Sequence, residues 1–169
     1  MKDFFEVPVD VYPVGRLDYD SEGLLILTND SHLNHRLLNP AFAHEREYWV
    51  QVEGNITKEA LDDLRAGVEI SIDGKPHKSK KCRAEKLADD LAVPPRLPPI
   101  RFRKNIPACW IKIILTEGKN RQVRKMTAKV GYPTLRLIRH RIGNIDIKGL
   151  EPGKMVELTG KEIYKMLFN

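Results

Sequence analysis

Apolar residues in this 169-residue chain never run longer than five in a row. Such runs are far short of the ~20 residues that cross a bilayer, and they suit short strands better than long helices. Glu47 to Val52 alternates, with Tyr48, Val50 and Val52 on one face and Trp49 and Gln51 on the other. Trp110, Lys112, Ile114 and Thr116 alternate with Ile111, Ile113 and Leu115. Both patterns predict strands with two unlike faces. Residues 24–28 are continuously apolar up to Thr28 and predict a buried strand. Val68, Ile70 and Ile72 predict another, running into a turn at Asp73-Gly74. Further strands are expected over Lys80–Leu87, Leu135–Ile142 and Asn144–Ile147.

Helices are marked by their caps. Asp30 precedes a helix over Ser31–Leu38, stopped by Asn39-Pro40. Thr57 precedes one over Lys58–Ala66, with Ala60, Leu61 and Leu64 as its apolar stripe and Gly67 beyond its end. Arg121–Val130 ends at Gly131, and Thr159-Gly160-Lys161-Glu162 has the spacing of a capping box for a helix running to Leu167. Many strands with few helices predict a single domain over residues 1–169, of α+β class, with a mixed, largely antiparallel central sheet and flanking helices. Residues 88–108 hold five of the 11 prolines and read as one long functional loop.

The net charge of +6 is unevenly spread. Arg101 to Lys148 carries 13 basic and two acidic side chains, interleaved with Phe102, Trp110 and Tyr132. The remainder is net acidic. This segregation predicts a surface that meets nucleic-acid phosphates. Cys82 and Cys109 are isolated and read as reduced thiols. His32 and His35 share a helix face without a third ligand, so no metal site is expected. Acids within Met1–Val7 are unlike a signal peptide, and a cytoplasmic, monomeric protein is expected.

Two segments carry candidate chemistry. Gly15-Arg16-Leu17-Asp18-Tyr19-Asp20-Ser21-Glu22-Gly23 presents Asp18 on a loop before the 24–28 strand. A loop aspartate is by itself an ordinary turn former. In a basic protein, a carboxylate at a strand edge also suits chemistry on a polyanion. Glu117-Gly118-Lys119-Asn120-Arg121-Gln122-Val123-Arg124-Lys125-Met126 opens the third helix. Arg121, Arg124 and Lys125 share one face of it, and Val123, Met126 and Val130 share the other. Its N-terminus adds free N–H groups beside the basic face. No phosphate loop or serine elbow is present.

The motif Gly15-Arg16-Leu17-Asp18-x-x-Ser21-x-Gly23, followed by four apolar residues and Thr28-Asn29, resembles the signature of the RsuA/RluB/RluE/RluF family of ribosomal RNA pseudouridine synthases. Arg46–Val52 resembles the family's tyrosine strand, and Glu117–Met126 its third motif. Pro98-Pro99-Ile100-Arg101 and Pro133–Arg139 are most similar to the RluE branch, which acts on 23S rRNA and lacks a separate N-terminal RNA-binding module. The resemblance implies a catalytic cleft and uridine isomerisation without cofactor or metal. It implies Asp18 as the catalytic carboxylate, Arg124 as its ion-pair partner and Tyr48 as the stacking surface for uracil. Val123 would pack on the same ring, Arg16 would fill the space left by the extruded nucleotide, and Lys119, Arg121 and Lys125 would bind phosphates. Family members carry a further strand before the segment matching Lys2-Asp3-Phe4-Phe5, so an exposed sheet edge is expected here. The alternatives are a non-catalytic RNA-binding or ribosome-assembly module on the same fold, and a synthase for small-subunit rRNA.

Overall fold

A computed structural model describes residues 6–96, 98–100 and 106–168. The Lys2–Phe5 segment, where the exposed sheet edge is expected, and Arg101 and Phe102 of the basic half lie outside the described residues. The elements run in the order β1 (Tyr12–Pro13), β2 (Glu22–Gly23), β3 (Leu27–Thr28), α1 (Ser31–Leu38), a 3-10 turn (Pro40–Phe42), β4 (Arg46–Glu53), α2 (Lys58–Ala66) and β5 (Glu69–Ile72). They continue with β6 (Lys75–Lys78), β7 (Arg83–Lys86), β8 (Ala108–Leu115), α3 (Gln122–Lys129), β9 (Thr134–Ile142), β10 (Ile145–Asp146) and α4 (Gly160–Phe168).

The main sheet has the order β10-β9-β4-β8-β7, with β2 added to β9. Only the β2–β9 pairing is parallel among its described ladders. β4 is the central strand, and its alternation explains why. Val50 and Val52 have no exposed surface; Val50 pairs with Ile111 and Leu137 and Val52 with Cys109 and Thr134, while Trp49 and Gln51 stand on the opposite face. Burying each such aliphatic side chain contributes roughly 1.5–3 kcal/mol. α2 supplies Leu64 and α3 supplies Val123 and Met126 to this core. A second core joins Val14, Leu24 and Ile26 to Leu33 and Leu37 of α1, Ile142 and Leu167 of α4.

The apolar run 24–28 is not one strand. Leu24 N–H donates to Arg139 O beside β9, whereas Val14 N–H donates to Ile26 O and Leu27 pairs with Pro13. The chain therefore changes partner within the run, from the main sheet to the small β1–β3 ladder. The glycine of the motif makes the first pairing possible. Gly23 has φ +109°, and a Cβ there would lie 2.3 Å from Arg139 O. Only a glycine admits β9 that closely.

The caps form as their sequences dictate. Asp30 accepts from the N–H groups of His32 and Leu33, and Thr57 accepts from Ala60 N–H. His32 meets the Tyr164 hydroxyl at 3.0 Å, and His35 meets the Asn39 amide at 3.3 Å, so both are engaged in holding α1. No helix among the described residues is long and apolar enough to cross a membrane.

Candidate active site

A cleft of about 490 Å³ lies at the seam between the two cores. Val14, Leu37 and Ile142 of one core and Leu115, Val123 and Leu137 of the other contribute to its walls. That volume suits a single small group bound between walls already in place. Arg16 and Asp18 enter from the loop before β2, Tyr48 from β4, and Lys119, Arg121 and Val123 from the start of α3. These six of the eight residues singled out in the sequence share one cavity. Arg124 and Lys125 do not line it.

Asp18 is a quarter exposed, and its ion-pair partner is Arg121, with Nη1 3.6 Å from Oδ2. Arg124, the partner expected from the sequence, lies in the field of Asp18 but forms its ion pair with Asp20 instead. Arg124 reaches the same loop further on, where its Nη2 donates to Asp20 O at 2.7 Å and Ser21 Oγ at 3.2 Å. The reason is local. Arg121 caps α3 with a left-handed backbone, φ 50°, and its side chain extends over the loop toward both acids. A non-glycine residue in that conformation costs on the order of 1 kcal/mol and occurs at sites where direction matters. Arg121 also forms a two-pronged pair with Asp20, at 2.9 and 3.0 Å. That pair draws the Asp20 pKa down to about 2.

The turn before α3 is fixed from beneath by Glu117. This buried carboxylate accepts from Lys80 N–H at 2.8 Å and from the Gln122 side-chain amide, and it pairs with His77 at 3.2 Å. Gln122 Oε1 in turn accepts from Lys119 N–H. The β5–β6 hairpin is thereby tied to the third motif, and His77 and Lys80 join the cleft wall. Lys75-Pro76-His77-Lys78 has no apolar pattern, so β6 leaves no trace in the sequence beyond the turn before it.

Another cleft residue escaped the sequence reading. Arg139 is only 6% exposed, in β9, with Nε donating to Leu24 O at 2.8 Å and Nη1 to Arg16 O at 3.3 Å. Three arginines in the strand pattern Leu135–Ile142 were the available signal, because a buried strand carries a charge only where it has partners. Arg136 bonds Glu22 with two prongs, and Arg141 bonds Glu47.

Residues 3–129 match the RNA pseudouridylate synthase family. The chain belongs to this family. It is 46% identical over 153 residues to ribosomal large subunit pseudouridine synthase E of Vibrio parahaemolyticus, covering 90% of this chain and 62% of that protein. Its identity to the protein of the same description from Xanthomonas axonopodis is 50% over 148 residues, or 88% of this chain and 76% of the relative. The dual-specificity RNA pseudouridine synthase RluF of Escherichia coli is 35% identical over 170 residues, covering 99% of this chain and 51% of that enzyme. A solved structure described as a pseudouridylate synthase superposes with a TM-score of 0.77 at 27% identity, covering 97% of this chain and 64% of that one. The α+β fold with its mixed sheet is thus that of the pseudouridine synthase family.

Proposed function

We propose that this chain isomerises one uridine of 23S rRNA to pseudouridine, with Asp18 as the catalytic carboxylate. The observation that carries this reading is the meeting of Asp18, Tyr48 and Val123 in one cleft under a basic rim. A uridine in a duplex or loop stack hides its glycosidic bond, so it must leave the stack to be cut and rejoined. The cleft holds one base. Tyr48 supplies the ring it stacks on, and Val123 closes the apolar wall. Asp18 breaks the bond from uracil N1 to ribose C1′, and the base returns to bond C1′ through C5. The C5 proton leaves to solvent and N1 takes one up, so the two cancel, the product is an isomer, and no electron or energy source enters the balance. Arg121 directs the Asp18 carboxylate from 3.6 Å. Arg16, exposed at the mouth, fills the gap that the extruded nucleotide leaves. Lys119 and Lys125 take flanking phosphates.

The large-subunit assignment is supported by likeness to the synthase E proteins of Vibrio and Xanthomonas, named for the large subunit. Mapping pseudouridines in both rRNAs of a strain lacking this gene tests it. The expected result is one missing site in 23S rRNA. A site missing only from small-subunit rRNA would contradict the assignment.

A further inference from the structure

Arg139 carries an N–H group that the cleft leaves without a partner. Its Nε and Nη1 are taken by Leu24 O and Arg16 O, but Nη2 is buried with no hydrogen bond. A buried guanidinium N–H is rarely left unpaired, because its lost hydration is not repaid. Tyr48 is directly opposite Arg139 in the β4–β9 ladder, on the cleft face, and the ladder slips register between Glu47 and Tyr48. A slip of this kind re-aims the side chain that follows it. The Tyr48 side chain already interacts with the Arg139 guanidinium, although Nη2 itself lacks a hydrogen bond. The carbonyls of Leu24 and Arg16 are taken by Nε and Nη1. The tyrosine hydroxyl is the acceptor that the ladder sets opposite Arg139.

We propose that Arg139 is a positioning residue that couples the Asp18 loop to Tyr48, its free Nη2 donating to the Tyr48 hydroxyl oxygen when a uracil stacks on the ring. One guanidinium then fixes the Arg16 carbonyl, two residues before Asp18, and the ring that holds the base. The bond forms only with substrate bound, so it favours the reacting complex over the free enzyme. This inference rests on the synthase reading above.

The test is a double-mutant cycle of Arg139→Lys with Tyr48→Phe, followed by tritium release from C5-labelled 23S transcript. Lysine keeps the charge but cannot serve two carbonyls and a hydroxyl in one plane. Tyr48→Phe keeps the stacking ring and should leave the thermal midpoint unchanged. In the wild-type background it should lower kcat/KM about tenfold, the scale of one hydrogen bond to a charged group. In the Arg139→Lys background the same change should cost less than about twofold. Losses in kcat/KM that simply multiply would overturn the coupling while leaving the synthase reading intact. A wild type that releases no tritium would overturn both. Should Arg139→Lys fail to fold, side-chain nitrogen NMR of Arg139 decides. Its Nη signal should shift when the modified 23S fragment binds the wild type and stay fixed in Tyr48→Phe; equal shifts in both would overturn the proposal.

Discussion

The Nη1 atom of Arg121 lies 2.9 Å from Asp20 Oδ1 and 3.6 Å from Asp18 Oδ2, so one guanidinium spans both acids of the loop. Asp20 is the tighter partner, and Arg124 adds a second cation 3.4 Å from its other oxygen. Asp20 thus occupies Arg121 from one side and fixes where the remaining reach toward Asp18 points. Asp18 sits on a loop whose direction is set by two arginines of α3 and one of β9.

Arg121→Gln should release both acids. The Asp20 carboxyl, held at about 2 by that pair, should return toward the ordinary range near 4. Its contribution to stability is present above the unfolded value and fades as pH falls toward the folded one. At 41% side-chain exposure that contribution is under about 1 kcal/mol. The effect on function should be larger, a loss of about tenfold in kcat/KM, since a charge-assisted pair is removed from the site. Carboxyl carbon NMR of Asp20 and steady-state kinetics check the two parts.

Gly23→Ala should be among the most damaging small changes in the chain. Its Cβ would meet the Arg139 carbonyl at 2.3 Å in a backbone region closed to alanine. A cost of roughly 2–4 kcal/mol is expected, readable as a lower urea midpoint. Gly131→Ala is the comparison, because nothing lies within 4 Å of its added methyl and only the φ penalty remains.

Glu117→Ala should loosen the hairpin before it unfolds the domain. It would leave Lys80 N–H and the Gln122 amide without their acceptor, at a cost of roughly 2–3 kcal/mol. Hydrogen exchange at Lys75–Lys80 should rise ahead of exchange in β4. Protection unchanged in the hairpin would show that the β5–β6 ladder holds itself.

Acid should destabilise the protein through buried imidazoles. Burial lowers the pKa of His140, against the opposing pull of Glu47 and Asp146 and with help from Lys148 and Arg141. The ring stacks on Trp49 with centroids 4.0 Å apart. His44 is shifted the same way, also by burial first. Both stay neutral in the folded chain at pH values where the unfolded chain binds protons. Stability should therefore fall as pH drops below about 6.5. Thermal midpoints at about pH 7.5 and about pH 5.5 measure this, and the drop should be smaller in a His44→Gln, His140→Gln double variant.

The elements with a complete local signal were legible in the sequence. α1 and α2 are bounded by an aspartate and a threonine whose side chains accept from the first turn, and β4 and β8 alternate without interruption. What stayed hidden depends on distant partners. The apolar run 24–28 does not disclose that it changes sheets midway. β6 is a strand because β5 and Glu117 hold it, not because Lys75–Lys78 prefers to be one. At the site, the resemblance to the synthase motifs grouped Asp18, Tyr48 and Val123 and named Arg124 as the partner of Asp18, while helical geometry alone puts Arg121 and Arg124 on one face. The left-handed cap at Arg121 sets the two apart. Arg139 showed only as a charge within a strand pattern, because its partners are carbonyls more than 100 positions away in the chain.

The measurement that bears most directly on this account is tritium release from in-vitro-transcribed 23S rRNA labelled at uridine C5, comparing the chain with its Asp18→Asn variant. Asparagine keeps the shape of the side chain and removes the carboxyl group, while the fold and the basic rim stay in place. The account predicts release by the wild type and a loss of at least about 10³-fold in the variant, the scale expected when the reacting group itself is removed. Release by Asp18→Asn at the wild-type rate would contradict it.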